Sequence, residues 1–223
     1  MALKRNLAYN HLNYSLNLYF LIKFMKTGLH QRTLVLIKPD AVQRGLIGEI
    51  LLRFERKGLK VTAMKMAWAD KKMAMDHYFW SKEEKEASGN RTIAVREEKG
   101  LSIEKTAIEY AEMTQKKLIG MLMAGPTIAL VIEGAHAIEH VRKVVGHGSP
   151  LNADVGTIRA DFTIDSYIVA DEADRAARNL VHASSSIDEA EREIKVWFKE
   201  EEISDYELAI EKILYSKDWD AAE

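Results

Sequence analysis

The chain contains no cysteine and only three prolines in 223 residues. Without cysteine there is no disulfide, no thiolate nucleophile and no cysteine-based metal site, and the composition fits a reducing compartment. No segment is low-complexity and no internal repeat is visible. Lys and Arg nearly balance Asp and Glu, leaving a formal charge of −2. That removes any broad electrostatic case for nucleic acid or an anionic membrane surface. A Walker sequence and a G-x-G-x-x-G string are both missing, so the common nucleotide folds lack support. No apolar run approaches the ~20 residues a membrane span requires. The nearest, at 16–25, is broken by Asn17 and Lys23, and Asn10 and Asn13 precede it.

Residues 1–31 look foreign to the rest of the chain. They have a faint signal-peptide pattern but no A-x-A-type cleavage site. Two readings stay open: a genuine extension, or translation beginning at Met25.

What is present reads as strands alternating with helices. Residues 33–37 form a short β-branched run, a buried strand, ended by Lys38-Pro39-Asp40. Asp40, with Gln43 three residues on, reads as the cap of a helix over 41–57, and Gly58 stands at its C′ position. Residues 59–68 alternate and then shift phase, which predicts a bulged strand. Asp70 caps a short helix through Tyr78. Residues 81–116 are dense in charge and suit solvated helices or a mobile insertion. Ser102 is a weak cap for a helix ending near Met123, before Gly125-Pro126. A strand over 127–132, a helix over 136–145 and a flexible loop over 146–150 come next. Residues 156–164, including Arg159, read as a fourth strand, and 165–178 as a polar loop or short helix. The order suggests a ferredoxin-like split β-α-β arrangement, an antiparallel four-stranded sheet with helices on one face.

His182 lies in a small-residue loop before a helix. Ser186 and Glu189 form an S-x-x-E capping box, and Ile187, Ala190, Ile194, Trp197 and Phe198 recur at helical spacing. A helix N-terminus offers free N–H groups and partial positive charge to an arriving phosphate. A neutral histidine is a competent nucleophile. Glu193, inside that helix, can aim a carboxylate back at the ring. Taken alone, the stretch fits a satisfied loop histidine beside a capping serine better than a nucleophile.

Four strings stand in order: Ile37 through Gly45, Gly125-Pro126, Gly156 through Phe162, and Asn179 through Ser184. Together they closely resemble the nucleoside diphosphate kinase family, over about 32–198. The domain plan is then an extension over 1–31, a kinase-like domain over 32–198 with an insert at about 80–117, and a tail over 199–223. The resemblance implies transfer of a γ-phosphate from a nucleoside triphosphate to a nucleoside diphosphate, by a ping-pong route through a phosphohistidine, with broad base specificity. It implies that His182 is the nucleophile, that Glu193 fixes its ring and that Ser184 supports the glutamate. Lys38 and Asn179 match residues reaching sugar and phosphates, Arg142 and Arg159 the phosphate-binding arginines, Tyr78 an active-site tyrosine, and Leu118 an apolar residue under the base. Aromatic residues at helix ends are also often simply core. Further implications are Mg2+ held mainly by the nucleotide phosphates, ATP and other nucleoside di- and triphosphates as partners, a homo-oligomer (hexamer or tetramer), a cytoplasmic setting, and no membrane or nucleic-acid partner.

The chain departs from the family at several positions. Thr114 replaces a base-stacking phenylalanine, for which Phe79 or Trp80 are candidate substitutes. Gly148 replaces a phosphate-contacting threonine, for which Ser149 is a candidate. Ser185 replaces an aspartate, Ala160 a glycine, and 165–177 is longer than the common pattern. Two rival readings are a catalytically weak nucleotide-binding relative and a non-enzymatic interaction module.

Overall fold

A computed structural model describes residues 29–216 and 219. The question of a Met25 start and most of the 1–31 extension lie outside the described residues. The elements run β1 (His30–Ile37), α1 (Pro39–Val42), α2 (Ile47–Arg56), β2 (Lys60–Ala67), α3 (Lys71–His77), α4 (Lys82–Glu98), α5 (Ala107–Leu122), β3 (Thr127–Ala135), α6 (Ala137–Val145), α7 (Ile158–Phe162), α8 (Tyr167–Glu172), β4 (Val181–Ala183), α9 (Ile187–Trp197) and α10 (Glu211–Tyr215).

The four strands form one sheet in the order β2-β3-β1-β4, with every pairing antiparallel. This is the expected split β-α-β topology. Leu34 to Ile37 in β1 are all 0% exposed. Such a continuous apolar run marks a strand covered on both faces. Val35 and Ile37 pack with Phe54, Leu130 and Val141, beneath α2 and α6. Leu34 and Leu36 pack with Val131, Leu122, Ile194 and Trp197, beneath α5 and α9. The expectation of helices on one face is therefore corrected. Arg32, on β1, ties α9 down with a two-pronged pair to Glu191, both bonds at 2.7 Å.

Other expectations change as well. Pro39 occupies the first helical turn, so Lys38 is the N-cap and Asp40 caps nothing. The single helix expected over 41–57 is broken by a turn, with Gly45 at φ +70°. The expected strand over 156–164 is helix α7. Thr157 caps it, accepting from the Ala160 N–H, and this local bond overrides the β-branched composition. The fourth strand is instead the three-residue β4. The bulge in β2 is present, as a register shift between Val61 and Ala63.

The charged segment is a helical pair. Ser81 with Glu84 and Thr106 with Glu109 form complete capping boxes for α4 and α5, so Ser102 is not the cap. The helices meet closely where Gly89 faces the Ala107 backbone; a Cβ on Gly89 would collide with that carbonyl. The start of the tail lies along β2. Ser204 N–H donates to Thr62 O at 2.8 Å and the Tyr206 hydroxyl to Val61 O at 2.8 Å. Covering a sheet edge this way blunts unwanted strand pairing. No helix among the described residues is long and apolar enough to cross a membrane.

Candidate active site

The candidate residues converge at the end of the sheet where β1 and β4 meet. β4 is held by β1 through the Leu36–His182 register pair, by Ser184 N–H to Leu34 O, and by Lys38 N–H to Leu180 O. Leu180 sits at φ +68°, an uncommon conformation for a branched side chain. Its N–H donates to Asp40 Oδ2 at 3.0 Å. Asp40, expected to cap a helix, therefore braces the turn leading into the histidine strand. Placing His182 on a strand also corrects the loop expected from its sequence.

His182 Nε2 lies 2.8 Å from Glu193 Oε2. A carboxylate only accepts, so Nε2 carries a proton, and in the neutral ring Nδ1 is the nitrogen that keeps the lone pair. The Ser184 hydroxyl donates to the same Glu193 oxygen at 2.6 Å. Glu193 is 2% exposed. Burial alone would raise its pKa, but the facing His182 and the hydrogen bond between them outweigh it and hold the carboxyl below its ordinary value. The His182 side chain remains 18% exposed, so one edge of the ring can meet a ligand.

His77, which the sequence pattern marks only as the neighbour of Tyr78, forms the floor of the site. Its ring packs edge-on to His182 at 4.5 Å and contacts Tyr78 and Trp197. Both ring nitrogens are buried, with no hydrogen-bond partner among the described residues. Burial, reinforced by His182, pushes its pKa down to about 3. His77 is thus neutral, and its 3.6 Å approach to Glu193 Oε1 is not an ion pair. The position before Tyr78, at the end of a capped helix aimed at the sheet, is the signal that could have found it.

Asp70 caps α3, accepting from the Met73 N–H, and α3 delivers both His77 and Tyr78. Tyr78 is 5% exposed, with its ring 6.3 Å from that of His182. Burial pushes its hydroxyl pKa up. Lys38 is 2% exposed and hydrogen-bonds Asn179 Oδ1 through Nζ, which also lies 3.6 Å from Met121 Sδ on α5. Burial pushes its ammonium down to about 8. Asn179 Nδ2 donates in turn to Gly148 O at 2.6 Å.

Arg159, from α7, donates to Asn179 O at 3.0 Å, Gly146 O at 2.9 Å and Val181 O at 2.5 Å. It clamps the 146–148 loop to the histidine strand, and burial brings it down to about 10. Arg142, in the last turn of α6, is exposed and bonds no other described residue, but its charge is felt at Arg159. Leu118 is less central, half-buried against the second core cluster. Thr114 spends its hydroxyl on Tyr110 O. Phe79 is 59% exposed, and Trp80 is half-buried. Ser149, the candidate substitute for Gly148, is 3% exposed, and its N–H donates to His147 Nδ1 at 3.1 Å.

Among the described residues, one group could surround a metal ion: His77, His182 and Glu193. Two imidazoles and one carboxylate do not suit Mg2+, which prefers oxygen ligands and phosphates.

The sequence profile described as nucleoside diphosphate kinase matches residues 31–96 and 89–203, two stretches that overlap within α4. A nucleoside diphosphate kinase of Pyrobaculum aerophilum is 42% identical over 178 residues, covering 78% of this chain and 97% of that protein. One of Pyrococcus abyssi is 44% identical over 179 residues, covering 80% and 91%. The crystal structure of an NDP kinase from Pyrobaculum aerophilum superposes with a TM-score of 0.76, at 40% identity, covering 79% of this chain and all of that one. A Borrelia burgdorferi nucleoside-diphosphate kinase, solved as a transition-state mimic with vanadate and ADP, gives a TM-score of 0.69 at 36% identity, covering 83% and 96%. With identity of this order spread over nearly the full length of these relatives, and with the sheet and helices superposing, the chain belongs to the nucleoside diphosphate kinase family.

Proposed function

We propose that this chain exchanges the terminal phosphate between nucleoside tri- and diphosphates in two half-reactions through phospho-His182. The observation that carries the reading is the His182 Nε2–Glu193 contact, which leaves Nδ1 as a free, oriented lone pair. In the first half-reaction Nδ1 attacks the γ-phosphorus, the bond to the β,γ-bridging oxygen breaks, and the nucleoside diphosphate leaves with that electron pair. In the second, a terminal oxygen of an incoming diphosphate attacks the same phosphorus and the P–N bond breaks, restoring the imidazole. No water or external base is consumed. As positive charge develops on the ring, Glu193 balances it through the Nε2 proton, and Ser184 holds Glu193 in place.

The transferred group is loosely bonded and highly charged, so catalysis is mostly positioning and neutralisation. Lys38, Arg142 and Arg159 supply positive charge, Asn179 couples Lys38 to the 146–148 loop, and Tyr78 packs beside the ring. Leu118 is assigned to the base side of the cleft. The nucleotide enters as its Mg2+ complex, a substrate rather than a resident metal. The kinase domain is assigned to about 32–198, with the α4–α5 pair as its insert and 199–223 as its tail. A homo-oligomer and a cytoplasmic setting are carried by the resemblance, and a molar mass in solution tests the first. Broad base tolerance accords with stacking, since every base has a π-face.

Incubation with γ-labelled ATP alone should leave a label that acid removes and alkali spares. His182→Ala should lose both label and exchange. A His182→Ala protein that exchanged phosphate at the parental rate would sink the assignment.

A further inference from the structure

Gly148 has no side chain of its own to offer a phosphate. A hydroxyl nevertheless stands at the spot such a side chain would occupy. A Cβ built on Gly148 would run into the Tyr167 hydroxyl, with the rest of the Tyr167 ring farther away. Tyr167 opens α8, in the segment 165–177 that is longer than the family pattern. Its ring lies tilted against that of His147, with centroids 6.5 Å apart. Its hydroxyl bonds no other described residue, and the residue is 41% exposed. Gly148 O is meanwhile pinned by Asn179, and the neighbouring Gly146 O by Arg159. The phenol therefore stands over a fixed loop, beside the cationic group of the site.

We propose that the Tyr167 hydroxyl is a phosphate-binding group of the nucleotide site, donating to a phosphate oxygen from the position that a side chain at residue 148 would fill. The phenol is a neutral donor, suited to a phosphate oxygen already neutralised by guanidinium groups. The phenol also lies close to the Arg159 guanidinium. Glycine at 148 and tyrosine at 167 are then two halves of one arrangement: the first clears the space and the second fills it. Arg142, exposed and otherwise unengaged among the described residues, reaches the same region from α6.

The proposal rests on the nucleotide-exchange reading and deepens it. Tyr167→Phe removes one oxygen and keeps the ring. A hydrogen bond to a charged phosphate predicts a rise of about tenfold or more in KM for both nucleotides. If the phosphate contacted is one that does not react, kcat should change less than about threefold. A purely steric role for the ring would leave both constants unchanged. The decisive variant is the double change Gly148→Thr with Tyr167→Phe. It removes the clash and returns a hydroxyl one bond from the same Cβ position, so KM should recover to near the parental value. Gly148→Thr alone should perform worse than the double variant, because the phenol is still in the way. Parental kinetics in Tyr167→Phe, or a loss that the double variant fails to recover, would overturn the proposal. Exchange by the parent protein, measured in parallel, separates either failure from failure of the functional reading itself.

Discussion

The two most distinctive regions of the molecule are built on opposite principles. The α4–α5 pair is written locally: each helix has a complete capping box, and charged residues line its outside. Its two helices meet at one close approach, Gly89 against Ala107. The β4–α9 region is written at long range. β4 has three residues and owes its place to β1, about 150 positions earlier in the chain. Its side chains satisfy one another in a closed network of His182, Glu193 and Ser184, over a His77 with no hydrogen-bond partner among the described residues. The first design gives a robust element that tolerates change outside its crossing point. The second fixes a reactive ring, and removal of any member leaves a buried partner unsatisfied.

The largest expected effect breaks the second network at its charge. Glu193→Gln preserves size and can still accept from Nε2–H through its amide oxygen. It cannot balance the positive charge that grows on His182 as the P–N bond forms. We expect kcat to fall about 10²–10³-fold, in the range seen when one stabilising group is lost, with KM little changed. Rapid-quench measurement of phospho-His182 formation checks this, and an unchanged phosphorylation rate would remove Glu193 from the mechanism.

Next in size is a pH effect confined to the same region. His77 in the folded chain has its pKa pushed down to about 3, whereas the unfolded chain takes up its proton near 6.5. Between those values the unfolded state binds more protons, so stability rises with pH and is lost on acidification from about 6.5 towards 3. By pH 4.5 this should amount to about 2–3 kcal/mol. The depressed Glu193 carboxyl acts in the same direction, since its contribution is lost as pH falls through its folded pKa. In His77→Gln the drop in the urea midpoint from pH 7 to 4.5 should shrink. An equally steep drop in that variant would place the acid sensitivity elsewhere.

A third change tests the hairpin at its one crowded point. Alanine normally favours a helix over glycine by up to about 1 kcal/mol. Gly89→Ala should instead destabilise the pair by about 1–3 kcal/mol, because the new methyl meets backbone rather than a side chain that can move. Hydrogen exchange should show α4 and α5 losing protection while β1 and β3 keep theirs. Uniform loss across the sheet would mean that the pair and the core unfold together.

The same contrast explains what is legible in the sequence. Asp70, Ser186 and the Gly58 stop are local devices, and each marks a helix boundary that the structure contains. The four-string resemblance carries the fold and the identity of the converging residues. What escapes depends on distant partners. Arg159 reads as part of a strand because its stretch is β-branched, yet Thr157 caps a helix there and the arginine's three carbonyl partners lie 13 to 22 positions away. Asp40 has the sequence of a cap, but Pro39 moves the helix start back and frees its carboxylate for Leu180. Tyr167 carries no signal beyond the length of its loop, because its neighbour is defined by the absence of a side chain at Gly148.

The smallest expected effect sharpens the comparison most. Thr106 and Ser186 each cap a helix by accepting an N–H three residues on, from Glu109 at 3.3 Å and Glu189 at 3.1 Å. Replacing either with alanine should cost about 1 kcal/mol, the usual value for a lost N-cap. The two differ in what the helix carries. Helix α5 bears Gln115, which reaches Tyr78 O, but no member of the His182 network. Helix α9 bears Glu193 two turns from its start, and its first turn also holds Ser185, whose N–H donates to Glu189 Oε2 at 2.6 Å. Fraying of that turn loosens the aim of Glu193 at the imidazole, and small misplacements of a catalytic group are costly in rate. Thr106→Ala and Ser186→Ala should therefore lower Tm by similar amounts, while only Ser186→Ala lowers kcat, by about two- to tenfold. Equal kcat values in the two variants would show that the Arg32–Glu191 pair alone is enough to hold α9 in register.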